Sequence, residues 1–300
     1  MLLNKITILF SCLFLGATAH AAPKFWTWTG YNKNKDWEAY FGEMKAVGVT
    51  GFIMTRDKAA FEQVIPIADQ VGVDVYAWMW ILNNRSLAQE HPEWLDYNQK
   101  GESLREKKAY VDYYKFLNPA IPQVQDAIVQ QVEEIASIEG LKGVSLDYCR
   151  FVDAILPTTL WKKYDVVQDR VYPEWDYGYH PVMIGRFKET HGYDPRRQEN
   201  PALDETWRQF RMDQVNELVF KLKAVTRKHG VELTASPFPT PGMSRHMLYQ
   251  DRGKWPLDRS LAMIFDGFYD GNLDCRLRQD CRRDMDPNEK LYFGVFVPGD

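Results

Sequence analysis

The stretch GLKGVSLDYCRF, Gly140 to Phe151, decides how the rest of the chain is read. Gly143 to Leu146 is a short apolar run with β-branched content, entered from a helix-like segment through Gly140. Such a run predicts a buried parallel strand. Asp147 stands where that strand should end, followed at once by Tyr148 and Arg150. A carboxylate beside an apolar run is costly to bury unless it is paired or opens into a cavity. The arrangement predicts a barrel or open-sheet strand whose carboxyl end delivers Asp147 into an active-site mouth.

Working outward, strands and helices alternate. Phe25–Trp28, Val49–Thr55 and Val73–Leu82 read as strands, separated by helices at Asp36–Val47 and Ala59–Val71. Ile121–Ile138 is an amphipathic helix leading into the central strand. Beyond it, Trp207–His229 reads as a long helix, Val231–Ser236 as a fifth strand and Pro237–Arg245 as a Pro-rich loop. Leu257–Phe265 reads as at least partly helical, Gly267–Asp270 as a sixth strand and Leu291–Val297 as a seventh. Polar insertions follow strands three and four, from Asn83 to about Phe116 and from Phe151 to about Asp204; at this length they suggest functional loops.

This alternation implies right-handed βαβ units, a parallel sheet and an α/β fold of the (β/α)₈ (TIM) barrel type. Seven strands are recognisable, and truncation before an eighth is the expectation.

Residues 1–22 carry the marks of a signal peptide: Lys5, an apolar core from Ile6 to Leu15, and the small-x-small pattern Ala19-His20-Ala21. The apolar run is too short for a stable membrane span. Residues 23–300 then form one barrel domain, exported to a periplasm or secreted. Of the cysteines beyond the leader, Cys275 and Cys281 are close enough in sequence to pair in an oxidising compartment, and Cys149 reads as a buried free thiol.

A net charge of −4 offers no basic footprint for nucleic acid. Aromatics are abundant, with ten Trp, sixteen Tyr and sixteen Phe, which suits both core packing and stacking against sugar rings. Trp26 and Trp28, and likewise Trp78 and Trp80, alternate so that each pair shares a strand face, either in the barrel mouth or under the helices. Trp28 and Trp80 are the candidate sugar platforms. Arg150, Arg245 and Gln250 are candidate binders of hydroxyl or carboxylate groups, and Tyr148 is a further substrate-binding candidate.

Glycoside hydrolysis needs two carboxyl groups flanking one bond. Asp147 is the first candidate. Asp270, ending the expected sixth strand, and Asp251, in the loop after strand five, compete for the second role. Asp266 and Glu232 fall at the opposite ends of their strands, and Asp57 reads as a helix cap. The sequence has no HExxH, paired-Cys zinc pattern, GxGxxG, Walker loop or GxSxG, so no metal or cofactor is expected. His91 reads as a loop-packing residue.

The order of HPEWLDYNQKGES, LNPAIPQVQDAIVQQV, GLKGVSLDYCRF, RFKETHGYDP and SPFPTP, followed by Arg245 and YQD, resembles the family 10 glycosylhydrolase-like proteins across most of residues 24–299. The resemblance implies a secreted bacterial (β/α)₈ barrel acting on carbohydrate, with the Asp of LDYCR, Asp147, in its active site. Departures lie in FDGFYDGN, whose acidic residues do not align with a family acid/base, and in the absent eighth strand. The rival expectation is a non-catalytic carbohydrate-binding barrel of the cell envelope. The sugar and the oligomeric state are not read from the sequence.

Overall fold

In chain order the elements are β1 (Phe25–Gly30), α1 (Trp37–Ala46), β2 (Val49–Thr55), α2 (Lys58–Val71), β3 (Asp74–Trp80) and α3 (Arg85–Glu90). Then come α4 (Pro122–Ala136), β4 (Gly143–Asp147), α5 (Thr158–Tyr164), α6 (Pro181–His191) and α7 (Glu205–His229). The series closes with β5 (Glu232–Ala235), α8 (Pro241–Leu248), β6 (Arg259–Met263) and β7 (Lys290–Gly294). This computed structural model describes residues 25–55, 57–265 and, for the backbone, 290–294. The leader, Asp270, Cys275 and Cys281 lie outside the described residues, as does the strand expected at Gly267–Asp270.

Helix starts follow their caps. Asp36, Asp57 and Asp204 accept backbone N–H bonds at the heads of α1, α2 and α7, so Asp57 is the cap its position suggested. Gly72 and Gly230 end α2 and α7 in the left-handed conformation.

The strands form one sheet in sequential order, every neighbouring pair parallel. In β4, Val144 and Leu146 pack into the main core beneath the helices, so alternation turns Ser145 and Asp147 to the other face. Register puts Trp28, Ile53 and Tyr76 in one row on that face. Ile53, Tyr76 and Leu261 form a separate cluster there with Trp26, Trp28 and Trp78.

The sheet is strongly curled. Flat, it would hold β1 and β6 roughly 24 Å apart, from five strand spacings of about 4.8 Å. Instead the Arg259 guanidinium on β6 lies 5.3 Å from the Trp26 ring on β1. Tyr76 Oη donates to Glu232 Oε2 at 2.9 Å, and Arg259 grips the same carboxylate with two bonds of 2.6 and 2.8 Å. These groups close the amino end of the curled interior. Gly143 makes room for them: a Cβ there would stand 2.6 Å from the Tyr76 ring. No β1–β7 pairing closes the sheet among the described residues, so what is seen is a curled parallel α/β sheet rather than a completed eight-stranded barrel.

Two local expectations are corrected. Arg259–Met263 is a strand, not helical; buried Ser260 and Ala262 alternate with Arg259 and Leu261 between the core faces, and pairing with β5 and β7 overrides a spacing that suits either period. The expected loop Pro237–Arg245 turns into α8, capped by Thr240 with Pro241 at its first position.

The long insertions after β3 and β4 are knit together. Asn98 bridges Tyr177, Gln99 N–H donates to the Asp176 carbonyl, and the Gly178 and Tyr179 N–H groups donate to the Tyr97 carbonyl. Asp176, fully buried, pairs with Arg211 of α7 at 2.6 Å and accepts hydroxyl bonds from Tyr179 and Tyr249. His91 stacks on Trp94 at 3.8 Å, as a loop-packing residue would.

Candidate functional site

The site is built around the carboxyl end of β4. Asp147 is half-buried there. Its Oδ2 accepts from Trp78 Nε1 at 3.0 Å, and its Oδ1 accepts from the Tyr148 backbone N–H at 2.7 Å. Register explains the first bond: Trp78 stands opposite Ser145 and Trp80 opposite Asp147 on adjacent strands. Burial pushes the Asp147 carboxyl above its ordinary pKa, against the two hydrogen bonds and the charge of Arg150. A carboxyl group so placed can hold a proton at higher pH than a solvated one, or attack as a carboxylate once ionised.

Tyr148 turns the chain out of the strand in the left-handed region, φ 48°. A non-glycine residue there is strained by about 1–2 kcal/mol. The turn sets the Tyr148 ring 4.7 Å from that of Trp80, which is 39% exposed. Trp78 meets Trp80 edge-on at 6.0 Å. Trp28 is half-buried in the interior cluster rather than under the helices. Below Asp147 the Ser145 and Thr234 hydroxyls, and at its own level that of Ser236, are buried without a hydrogen-bond partner among the described residues. Ser145 and Thr234 are register partners.

Asp147, Tyr148 and Trp80 therefore lie together at the carboxyl end, while Trp28 sits lower on the same face, in the row of Ile53 and Tyr76. The remaining described candidates do not join them there. Arg150 is buried, pairs with Asp153 at 3.1 Å and donates to the Phe151 carbonyl at 2.9 Å. The rings of Tyr114, Phe116, Tyr148 and Phe238 surround its guanidinium. It is a packing centre for the loop.

Gln250 is also buried: it accepts from Phe238 N–H and donates to the Cys149 carbonyl, stitching the loops after β5 and β4 together. Asp251 is ion-paired with Arg245 at 2.5 Å and Lys254 at 3.2 Å. Burial would raise its pKa, but the two cations hold it below the usual carboxylate range. Arg245 and Asp251 both reach Gln209 on α7, in the helix layer. A carboxylate clamped this way is a poor proton donor; Asp251 is held here in an ion pair with Arg245 and Lys254. Cys149 is free and buried.

Trp78 as a donor to Asp147, and the Ser145–Thr234 hydroxyl pair, were missed in their roles. Their signal was the two-residue alternation that places them on the face of Asp147. Among the described residues, no second carboxylate hydrogen-bonds to Asp147, and no cluster of three or more His, Cys, Asp or Glu could hold a metal ion. No helix there is long and apolar enough to cross a membrane.

No protein-family model and no curated protein sequence matches the chain. Solved structures do. A β-galactosidase from the psychrophilic Marinomonas ef1 superposes with a TM-score of 0.51 at 12% identity, over 80% of this chain and 40% of that one. A polyextremophilic β-galactosidase from the Antarctic haloarchaeon Halorubrum lacusprofundi gives 0.51 at 14% identity, over 79% and 39%. A β-N-acetylhexosaminidase gives 0.50 at 12% identity, over 87% and 51%. The chain thus spans about two fifths to one half of the length of these glycosidases. At such identity the likeness is one of fold alone: the curled parallel α/β sheet described above is similar to the fold of these enzymes.

Proposed function

We propose that the chain is an exported glycoside hydrolase of the (β/α)₈ type, related to the family 10 glycosylhydrolase-like proteins and cleaving O-glycosidic bonds of a poly- or oligosaccharide. The observation that carries this reading is Asp147 at the carboxyl end of β4, its pKa raised, hydrogen-bonded to Trp78 and set beside the exposed Trp80 ring. Asp147 acts as nucleophile or base, with Trp28, Trp80 and Tyr148 as the apolar walls for sugar rings. Asp270, outside the described residues, supplies the general acid. A carboxylate separation of ~5 Å would mean retention and one of roughly 6.5–9.5 Å inversion. The leader pattern of residues 1–22 supports export to a periplasm or beyond.

The test is release of new reducing ends by the purified protein from a broad polysaccharide panel, with Asp147→Asn beside it. Activity abolished in a folded Asp147→Asn supports the reading; activity that survives the substitution overturns it. One observation favours a second reading, a non-catalytic carbohydrate-binding protein: among the described residues no second carboxylate faces Asp147. That reading expects saturable glycan binding in both proteins and cleavage in neither.

A further inference from the structure

The insertion after β3 forms an open cavity of about 750 Å³ beside the Trp80 ring. Arg85, Arg105, Lys108 and Lys115 line it, with Asp112 as the one acidic lining residue. This concentration runs against the net charge of −4 of the whole chain. Lys108 pairs with Asp112 at 3.2 Å. Arg85, Arg105 and Lys115 have no ion-pair partner within 4 Å among the described residues, although Arg105 acts on Glu93 at longer range. Cations gathered in a concave site without matching carboxylates repel one another and raise the local concentration of anions. Guanidinium groups match carboxylate and sulfate in bidentate geometry.

The cavity borders the site. Tyr113 lines it, and its ring lies 6.0 Å from that of Trp80. A glycan lying along Trp80 from Asp147 would therefore pass Tyr113 and present its next residues to the cationic wall.

We propose that this cavity is a subsite for the anionic groups of an acidic glycan, so that the substrate class is a uronate- or sulfate-bearing saccharide rather than a neutral one. The inference rests on the carbohydrate reading of the Asp147 mouth. Arg85, Arg105 and Lys115 hold the charged substituents, and Tyr113 and Trp80 carry the sugar faces between them and Asp147.

The experiment is calorimetric binding to the full chain carrying Asp147→Asn, which separates binding from cleavage. The probes are an oligogalacturonate, a heparin-derived tetrasaccharide and a neutral cello-oligosaccharide of the same length. The expected result is at least tenfold tighter binding of one or both anionic probes, weakening as salt is raised. The two anionic arms tell carboxylate from sulfate recognition. Arg85→Gln/Arg105→Gln/Lys115→Gln removes that preference at least tenfold while leaving neutral binding and the melting temperature unchanged. Equal affinity for charged and neutral probes overturns the proposal, as does an unchanged preference in the triple variant or no binding of either anionic probe. Failure of the hydrolase reading looks different: anionic glycan is bound with the expected preference, but the unsubstituted chain releases no reducing ends.

Discussion

At Asp147, two donors oppose what burial does. Desolvation raises the carboxyl pKa, while the Trp78 indole and the Tyr148 N–H favour the ionised form. A hydrogen bond to a charged group is worth about 1.5–3 kcal/mol, and one pKa unit is about 1.4 kcal/mol. Trp78→Phe keeps much of the ring volume and deletes a donor that favours the ionised form, so the Asp147 pKa should rise further. If ionised Asp147 is the working form, the acid limb of the kcat/KM profile moves to higher pH. Activity measured well above the new pKa falls less than activity on the acid side. A profile that keeps its acid limb while losing height would mean that Trp78 contributes only shape.

At the scale of elements, β4 shows how much of the fold could be read from the residues and where reading failed. Its apolar run, its terminal Asp and the alternating tryptophans of β3 were legible because strand period alone determines which side chains share a face. The caps Asp57 and Asp36 were legible for a similarly local reason. β6 was not: Ser260, Leu261 and Ala262 suit helix and strand alike, and only pairing decides. The surroundings of Arg150 and Asp251 were not legible either. The rings enclosing Arg150 and the α7 contacts beside Asp251 come from distant segments, which no local pattern reveals. Close approach makes β4 intolerant as well. A Cβ at Gly143 would stand 2.6 Å from the Tyr76 ring and 2.7 Å from the Glu232 carbonyl oxygen. Backbone cannot yield cheaply, so Gly143→Ala should cost about 1–3 kcal/mol, read as a lowered denaturant midpoint with little change in slope.

Across the whole molecule, the insertions are fastened by polar groups from which water is excluded. Asp176 and Arg211 are fully buried and join the second insertion to α7, with Tyr249 adding the loop after α8. Removing one partner leaves the other charge uncompensated, so Arg211→Met should destabilise by about 3–5 kcal/mol, measured by chemical unfolding.

Asp96, in the first insertion, gives stability a pH dependence of unusual sign. Burial raises its pKa to about 7, against bonds from Asn118 and Tyr97 N–H, and its Oδ2 has no partner among the described residues. Unfolded, the same carboxyl titrates near its ordinary value of about 3.9. Between those values the folded chain holds a proton that the unfolded chain has released, so this group's contribution to stability falls as pH rises from about 4 to about 7. Below that window it has no effect, and above it the loss is complete. Asp96→Asn should flatten the decline, checked by unfolding midpoints at pH 4.5, 6 and 8; an unaltered decline would assign it to other groups.

The Trp78–Asp147 bond also makes the molecule its own indicator. An indole that donates to a titrating carboxylate changes its emission when that carboxylate takes up a proton, and the exposed Trp80 ring beside it is open to collisional quenchers. A saccharide stacked on Trp80 should shield it from acrylamide, and the pH at which Trp78 emission shifts reads the Asp147 ionisation directly. Occupancy and protonation of the mouth can thus be followed by light, without a labelled ligand and before any substrate has been found.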